Sequence, residues 1–137
     1  MTWRIPNPQS LFQEIRIAFG DLSKYLDRLE AENNPAWTAV TFTNGWVDYG
    51  LGWQSAAYRK RRDGNVEMRG LVKNGTMGAA MFTLPVGYRP PLPLLFPVIA
   101  TNAIGRLDVN ANGVVLADAA IGANGFIDLN VTFSTRT

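Results

Sequence analysis

The sequence predicts a mainly β protein, in which one N-terminal α-helix precedes an antiparallel β-sandwich head of jelly-roll type. The 137 residues, 47% of them hydrophobic and 18% charged, have the composition of one globular domain with a short appendage. Of the 13 glycines, 12 follow Trp37, and five Asn-Gly or Asp-Gly pairs lie in the same part of the chain. We therefore assign residues 1–36 to an N-terminal arm and a coiled-coil-like helix, and residues 37–137 to the sandwich.

The composition excludes several kinds of site. The sequence contains neither cysteine nor histidine, so it offers no thiolate ligand, no disulfide and no imidazole base. We therefore do not expect an enzyme, a bound metal or a cofactor. A net charge of +2 gives little support for a nucleic-acid partner. No apolar run resembles a signal peptide or approaches the ~20 residues that span a bilayer, so a soluble protein without membrane insertion is expected.

The helix is predicted from Ser10 to Glu32. Ser10 and Gln13 have the spacing of a capping box, and Asn33-Asn34-Pro35 supplies the stop signal. Apolar residues repeat with the 3.5-residue period of a coiled coil, and these stem positions are Leu11, Ile15, Ala18, Leu22, Tyr25 and Leu29. Three further apolar residues widen the stripe beyond a two-stranded seam: Phe12, Phe19 and Leu26. The pattern favours a homotrimeric stem. A lone helix docked on its own head, or a dimer, is the alternative.

Strand and turn signals alternate through the rest of the chain. Residues 127–134 alternate between apolar and polar and predict one half-buried strand. Residues 66–73 alternate as well, although Gly70 interrupts the apolar row and Leu71 lies on the polar face. Leu71 on the polar face, and apolar residues on both faces of 95–99, predict strands that are covered on both faces. One face would pack in the sandwich and the other against a sister subunit. The Asx-Gly pairs predict type I′ hairpin turns, and they are Asn44-Gly45, Asp63-Gly64, Asn74-Gly75, Asn112-Gly113 and Asn124-Gly125.

A short internal echo relates Ala111–Leu116 to Ala123–Asp128. Two consecutive hairpins with the same turn chemistry explain it, because a solenoid needs roughly three or more repeats. Asp108, Asp118 and Asp128 are spaced by ten residues, but they lack the spacing of a calcium-binding loop. The echo therefore predicts no metal site.

A set of short motifs occurs in order between residues 42 and 133. The motifs are Asn44–Trp46, Trp53–Lys60, Asp63–Val72, Gly75–Thr76, Phe82–Pro90 and Val131–Phe133. In this order they resemble the C-terminal head module of bacteriophage tail fibre, baseplate and minor tail proteins. The resemblance implies a trimeric β-sandwich tip on a stem, carried by a phage or prophage particle and often in contact with a host-surface saccharide. Because the stem is short here, direct attachment to a baseplate is an alternative to a long fibre.

One candidate saccharide site consists of Trp46, Asp48 and Tyr49. These residues combine aromatic rings for stacking on a sugar with a carboxylate for its hydroxyls, in a glycine-bounded loop. Packing within a strand is the alternative role for them. The aromatic residues of the recognised motifs, such as Trp53 and Tyr58, are assigned to the fold instead.

Two further surfaces are candidates. The basic run Arg59, Lys60, Arg61 and Arg62 approaches a hairpin tip, where it would contact an anionic glycan or a cell-wall phosphate, or else form a solvated loop. The loops 101–106 and 118–124 would lie together at one end of the sandwich, where ligand-binding loops are common.

The sequence therefore predicts a homotrimeric receptor-binding tip of a phage or prophage tail or baseplate. Its partners would be a host cell-surface saccharide and, through the N-terminal part, a neighbouring tail or baseplate protein. It would be made in the host cytoplasm and located in the virion. A purely structural adaptor or plug without a ligand is the alternative. A glycan-cleaving enzyme is more remote, since it would have to bring together a carboxylate pair such as Asp48 and Glu67.

Overall fold

A computed structural model describes residues 8–33, 35–118 and 125–137 and divides the chain into two compact units, 1–34 and 35–137. The described part of the first unit is one helix. The strands of the second unit form two antiparallel sheets. The predicted fold class, a mainly β protein with a single N-terminal helix ahead of a sandwich-like head, is confirmed.

Helix α1 runs from Pro8 to Asn33. Proline suits the first helical position, because the amide hydrogen that it lacks would have no partner within the helix there. The predicted capping box is wrong, since α1 already includes Pro8 and Ser10 therefore lies inside the first turn. Within the described residues, no helix has both the length and the apolarity that a membrane crossing requires.

The apolar stripe of α1 is exposed in the single chain. From Ile15 to Tyr25 and Leu26, the large apolar side chains of the stripe are 40% to 66% exposed, with Phe19 the most open. Leu29 is half-buried, and the side chain of Leu11 lies outside the described residues. Exposed apolar area is unfavourable by about 25 cal/mol per Å², so the stripe offers a surface for a partner to cover. The trimeric stem remains a prediction.

The head contains short strands in two sheets. The four-stranded sheet has the order β1-β3-β4-β11, and the seven-stranded sheet has the order β2-β5-β10-β7-β8-β9-β6. The strands are β1 (Thr38–Ala39), β2 (Val47–Asp48), β3 (Ala57–Lys60), β4 (Asn65–Arg69), β5 (Leu71–Lys73), β6 (Phe82–Thr83), β7 (Leu94–Ala100), β8 (Ala103–Val109), β9 (Val114–Ala117), β10 (Phe126–Asp128) and β11 (Val131–Ser134).

The core lies between the two sheets, because side chains from both belong to one buried cluster. Strand β4 supplies Val66 and Met68, and the facing sheet supplies residues such as Val72, Leu107 and Ile127. The alternation predicted for residues 66–73 therefore describes real burial. Alternation at period two places one row of side chains in the core and the other in solvent.

Gly70 is the point at which the chain crosses from one sheet to the other, since β4 and β5 belong to different sheets. Its φ is 123°, and a Cβ there would lie 2.5 Å from Ala56 Cα, so no other residue fits without a shift of the backbone. The close contact with Ala56 thus explains why a glycine interrupts the apolar row at position 70. The crossing also explains Leu71, which is half-buried at the start of β5 and no longer belongs to the face of β4.

The last residues form two strands in place of the single strand predicted. Residues 126–128 pair with β5 and β7 in the seven-stranded sheet, whereas Val131–Ser134 pairs with β4 in the other. The alternation continues through the crossing, because Ile127, Leu129 and Phe133 are all buried. A regular burial pattern therefore did not require a continuous strand.

Among the described Asx-Gly pairs, one has the positive φ at both residues that the predicted type I′ turn requires. Asn44 and Gly45 have φ of 56° and 82°, as that turn requires, but they connect strands of different sheets. At Asp63-Gly64 and Asn112-Gly113 only the glycine has positive φ, and each pair closes a hairpin, β3–β4 and β8–β9. These are three-residue loops with a glycine bulge.

The remaining pairs are not hairpin turns between neighbouring strands. At Asn74-Gly75 the asparagine has φ of 69° and the glycine is not in the positive region. Asn124 lies outside the described residues, and Gly125 leads into β10, which is not a neighbour of β9. The explanation of the echo by two equivalent hairpins is therefore wrong. A Cβ at Gly125 would overlap Thr101 Oγ1, so a larger residue at this position would require the Thr101 side chain to move.

Candidate functional site

Trp46 is a core residue. It is 2% exposed, and a Cβ at Gly75 would overlap its indole ring, so the ring packs directly against Gly75. Its indole Nε1 has no hydrogen-bond partner among the described residues. A sugar ring stacks on an accessible aromatic face, which Trp46 does not offer. The prediction that Trp46 contacts a saccharide is therefore wrong.

Asp48 is half-buried, and its carboxylate joins two parts of the head. Oδ1 accepts a hydrogen bond from the Ala56 amide at 2.7 Å, close to the place where Gly70 crosses between the sheets. The pairing of β2 with β5, which sets Asp48 opposite Val72, fixes the position of this carboxylate. Asp48 thus has a structural role, and its contact with a ligand remains a prediction.

Tyr49 lines a cleft, which we call the aromatic cleft. Its ring contacts Trp53 and Phe126 edge to face, with ring centroids 6.4 Å and 5.8 Å away. The cleft has a volume of about 290 Å³. It is lined by Tyr49, Trp53, Gln54, Gly70, Leu71, Ile99, Phe126, Asp128 and Asn130.

The loop that carries the aromatic residues is held against strand β5. The Tyr49 amide donates to Leu71 O at 2.8 Å, and the Leu71 amide donates to Gln54 O at 2.9 Å, so the loop is attached at both ends. Gly50 and Gly52 have φ of 75° and 83°, which lets the chain turn between these attachments. The positions of Tyr49 and Trp53 are therefore set by backbone contacts.

Trp53 is 61% exposed, although its motif predicted a role in the fold. That prediction missed a residue of the cleft, because aromatic residues at the ends of strands were expected to act as anchors of the fold. The closely spaced pair Gly50 and Gly52 before Trp53 marks a turn, but Gly45 precedes the buried Trp46 in the same way, so this signal alone does not separate the two residues.

Polar groups stand around the rim of the cleft. Gln54 and Asn130 are exposed and contribute amide groups, and half-buried Asp128 contributes a carboxylate. Asp128 Oδ1 accepts a hydrogen bond from the backbone N–H of Asn130 at 3.0 Å, which orients this carboxylate. Lys73 Nζ lies 5.1 Å from the Tyr49 ring centroid, within the range of a cation–π contact.

The basic run is largely engaged in contacts within the head. Arg59 and Arg61 form ion pairs with Glu67 at 2.7 Å and 3.3 Å, and Lys60 Nζ donates to Gly87 O at 2.8 Å. Arg62 is exposed at the hairpin tip. These contacts give three of the four residues a structural role, and a contact with an anionic ligand remains a prediction.

The candidate carboxylates serve other contacts. Glu67 forms ion pairs with Arg59 and Arg61. It belongs to the four-stranded sheet, whereas Asp48 belongs to the seven-stranded sheet, so the two carboxylates are on different sheets. Arg106 joins Asp108 at 2.8 Å and Asp118 at 3.0 Å, and its hydrogen bond with Asp108 raises the pKa of the Arg106 guanidinium. Within the described ranges, no group of acidic residues has the arrangement of a metal site.

The candidate surface predicted from the loops 101–106 and 118–124 differs in secondary structure from the prediction. Residues 103–109 form strand β8, so 101–106 is not a loop, and only Thr101 and Asn102 connect β7 with β8. The segment 119–124, most of the other predicted loop, lies outside the described residues.

No protein-family model matches the sequence, and no curated protein matches it either. Among solved structures, the chain is similar to the receptor binding protein (gp15) of Listeria phage PSA, with a TM-score of 0.68 at 15% sequence identity. The similarity covers 97% of this chain and 82% of that chain. At this identity the likeness shows a shared fold, and a fold alone does not establish a function. The chain therefore has a fold like that of a phage receptor-binding protein, in agreement with the resemblance predicted from its motifs.

Proposed function

We propose that the protein is a receptor-binding protein of a phage or prophage tail or baseplate, and that three copies form a tip that attaches to a host cell-surface saccharide. The observation that carries the proposal is the fold shared with the Listeria phage receptor binding protein, which extends over 97% of this chain. In this role α1 would form the stem and join a neighbouring tail or baseplate protein, and the protein would be part of the virion.

The exposed stripe of α1 supports three copies. The helix has 26 residues, and apolar side chains of two kinds are exposed in its described part. They are the stem positions Ile15, Leu22 and Tyr25 and the residues that widen the stripe, Phe19 and Leu26. Three-stranded packing covers a wider stripe than a two-stranded seam does. Three copies would also present three binding sites on one particle, so that weak individual sites combine into firm adhesion.

A structural adaptor is the second candidate, and the outer face of β7 and β8 favours it. Ile99 and Ile104 pair directly across these strands, and both are exposed, Ile104 by 83%. Leu95 is exposed on the same face of β7. An apolar face of this kind suits contact with another protein. The exposed Trp53 in the aromatic cleft favours the binding module, because aromatic side chains in concave sites are typical of ligand recognition.

Light scattering on the purified full chain tests the stem. We expect a mass of three chains for the wild type. Leu22→Asp should reduce it, because the change places a charge on the stripe. Ser23→Asp adds the same charge beside the stripe and should leave the mass unchanged. A wild-type protein that is a stable monomer at micromolar concentration would refute the trimer.

A glycan array and adsorption to bacterial cells test the binding role. The wild-type trimer should bind at least one bacterial-type saccharide, and each single site should be weak. A trimer that binds neither glycans nor cells would support the adaptor.

A further inference from the structure

We infer that the aromatic cleft is the ligand site, and that it takes one pyranose ring carrying a methyl group, either in an N-acetyl substituent or as a 6-deoxy carbon. This inference rests on the proposed function and specifies where and what the protein binds. It replaces buried Trp46 by exposed Trp53 as the stacking residue, while Tyr49 remains in the site.

The aromatic side chains provide the stacking surface. Trp53 touches Tyr49 at an interplanar angle of 88°, so it meets the tyrosine by an edge contact, and the side chain stays 61% exposed. An exposed indole beside a cleft is a suitable surface for the C–H face of a sugar. Tyr49 also contacts Phe126, at an interplanar angle of 83°, and these contacts hold the Tyr49 ring in place before a ligand binds.

The polar residues at the rim can bind hydroxyl and amide groups of a sugar. The side chains of Gln54 and Asn130 each contain both donors and an acceptor, whereas the Asp128 carboxylate only accepts. Asp128 Oδ1 already accepts a hydrogen bond from the backbone N–H of Asn130, so its orientation is fixed before a ligand arrives. Hydrogen bonds from a sugar hydroxyl or acetamide N–H to this carboxylate would be charge-assisted.

The apolar part of the lining selects a sugar that has a methyl group. Leu71 and Ile99 form this part, and Gly70 lines the cleft beside them. A fully hydroxylated ring would leave hydroxyls unpaired against these residues, which is unfavourable. The volume of about 290 Å³ lies near the lower end of small-molecule sites, so one ring is the expected occupant.

Charges of both signs lie at the cleft. Asp128 is the charged residue among those that line it, and Lys73 Nζ lies 5.1 Å from the ring centroid of Tyr49 at the rim. The proposed ligand is therefore defined by its methyl group and not by the charge of the sugar.

Saturation-transfer NMR on the full-length protein tests the ligand class, with N-acetylglucosamine, rhamnose and glucose each added as the free sugar. We expect binding of at least one of the two methyl-bearing sugars and markedly weaker binding of glucose, which has no methyl group. Comparison of N-acetylglucosamine with rhamnose identifies which source supplies the methyl group. Trp53→Ala should weaken binding about tenfold, the loss expected for one stacking contact.

Two variants make the test specific. Asp128→Asn retains the shape of the side chain but removes its charge, and it should also weaken binding. Leu51→Ala changes an apolar residue that is 87% exposed, close to Trp53 in sequence, and not part of the lining, so it should bind like the wild type. Circular dichroism and light scattering on each variant show that fold and mass are retained.

Different outcomes would overturn the proposed site and the proposed function, so the two can be told apart. If the wild type binds array glycans and Trp53→Ala binds them equally well, the site is elsewhere while the receptor-binding role stands. Equal binding of glucose would overturn the ligand class. A change in the number of chains for Trp53→Ala would show that the cleft is an interface between copies. Loss of all glycan and cell binding in the wild type would overturn the proposed function itself.

Discussion

Gly113 and Gly87 form a matched pair for measuring how tightly the head is packed at the β8–β9 turn. Their φ values are 90° and 93°, so both have a left-handed backbone that strains any residue with a side chain. Their surroundings differ. A Cβ at Gly87 would meet nothing within 4 Å, whereas a Cβ at Gly113 would collide with Leu84 O and approach Arg89 Nε to 2.5 Å.

The structure gives the expected sizes of the two effects. Gly87→Ala should cost about 1–2 kcal/mol, the penalty of a left-handed conformation for an L-residue. Gly113→Ala should add the displacement of Leu84, whose carbonyl accepts from Arg89 Nε at 2.8 Å and whose amide donates to Gly113 O at 2.8 Å. Losing one charged and one neutral hydrogen bond costs roughly 2–4 kcal/mol, so the two variants should differ by about that amount.

Urea unfolding, followed by tryptophan fluorescence, measures these free energies. All variants must be compared at one chain concentration, because the stability of an oligomer depends on concentration. Gly78→Ala is a second control, since Gly78 has φ of 76° and a Cβ there would also meet nothing within 4 Å. Equal free energies of unfolding for Gly113→Ala and Gly87→Ala would refute the packing argument.

Three further predictions concern other parts of the head. Trp46→Ala should destabilise it by about 3–5 kcal/mol in urea unfolding, and Trp46→Phe by less, because the indole N–H has no partner to lose among the described residues. Thr101→Gly should stabilise it by about 1 kcal/mol, since Thr101 has φ of 54° at the first loop position of the β7–β8 hairpin, where glycine is preferred; an unchanged melting temperature would contradict this. Burial, and then repulsion from Tyr88, raises the pKa of Tyr58, so the unfolded chain releases the proton first and stability should fall as the pH rises above about 10. Tyr58→Phe should weaken that fall, and an identical pH profile would show that Tyr58 is not its cause.

Patterns that depend on neighbouring residues could be predicted from the sequence. The heptad stripe identified α1, and the alternation in residues 66–73 and 127–134 identified which side chains are buried. Both patterns follow from the geometry of a single helix or strand, in which the side-chain period is set by the backbone. The start of α1 was misplaced because Pro8 is compatible with either side of a helix boundary.

The arrangement of strands in sheets could not be predicted in the same way. The chain passes from one sheet to the other at Gly70 and again between β10 and β11, while the alternation of buried residues continues through both crossings. In a sandwich both sheets face one core, so a strand that changes sheets still buries the same row of side chains. The burial pattern therefore contains no information about which sheet a segment joins.

The choice between Trp46 and Trp53 depended on a contact that the local sequence does not contain. Each tryptophan follows a glycine, Gly45 or Gly52, so both segments indicate an aromatic residue just after a turn. Gly75 decides between them, because its missing side chain leaves the space that the Trp46 ring occupies in the core. Since Gly75 does not have positive φ, its presence in an Asx-Gly pair is explained by this packing and not by a turn. Trp53 makes an edge contact with Tyr49 and remains largely exposed, so its indole is the one that a ligand can reach.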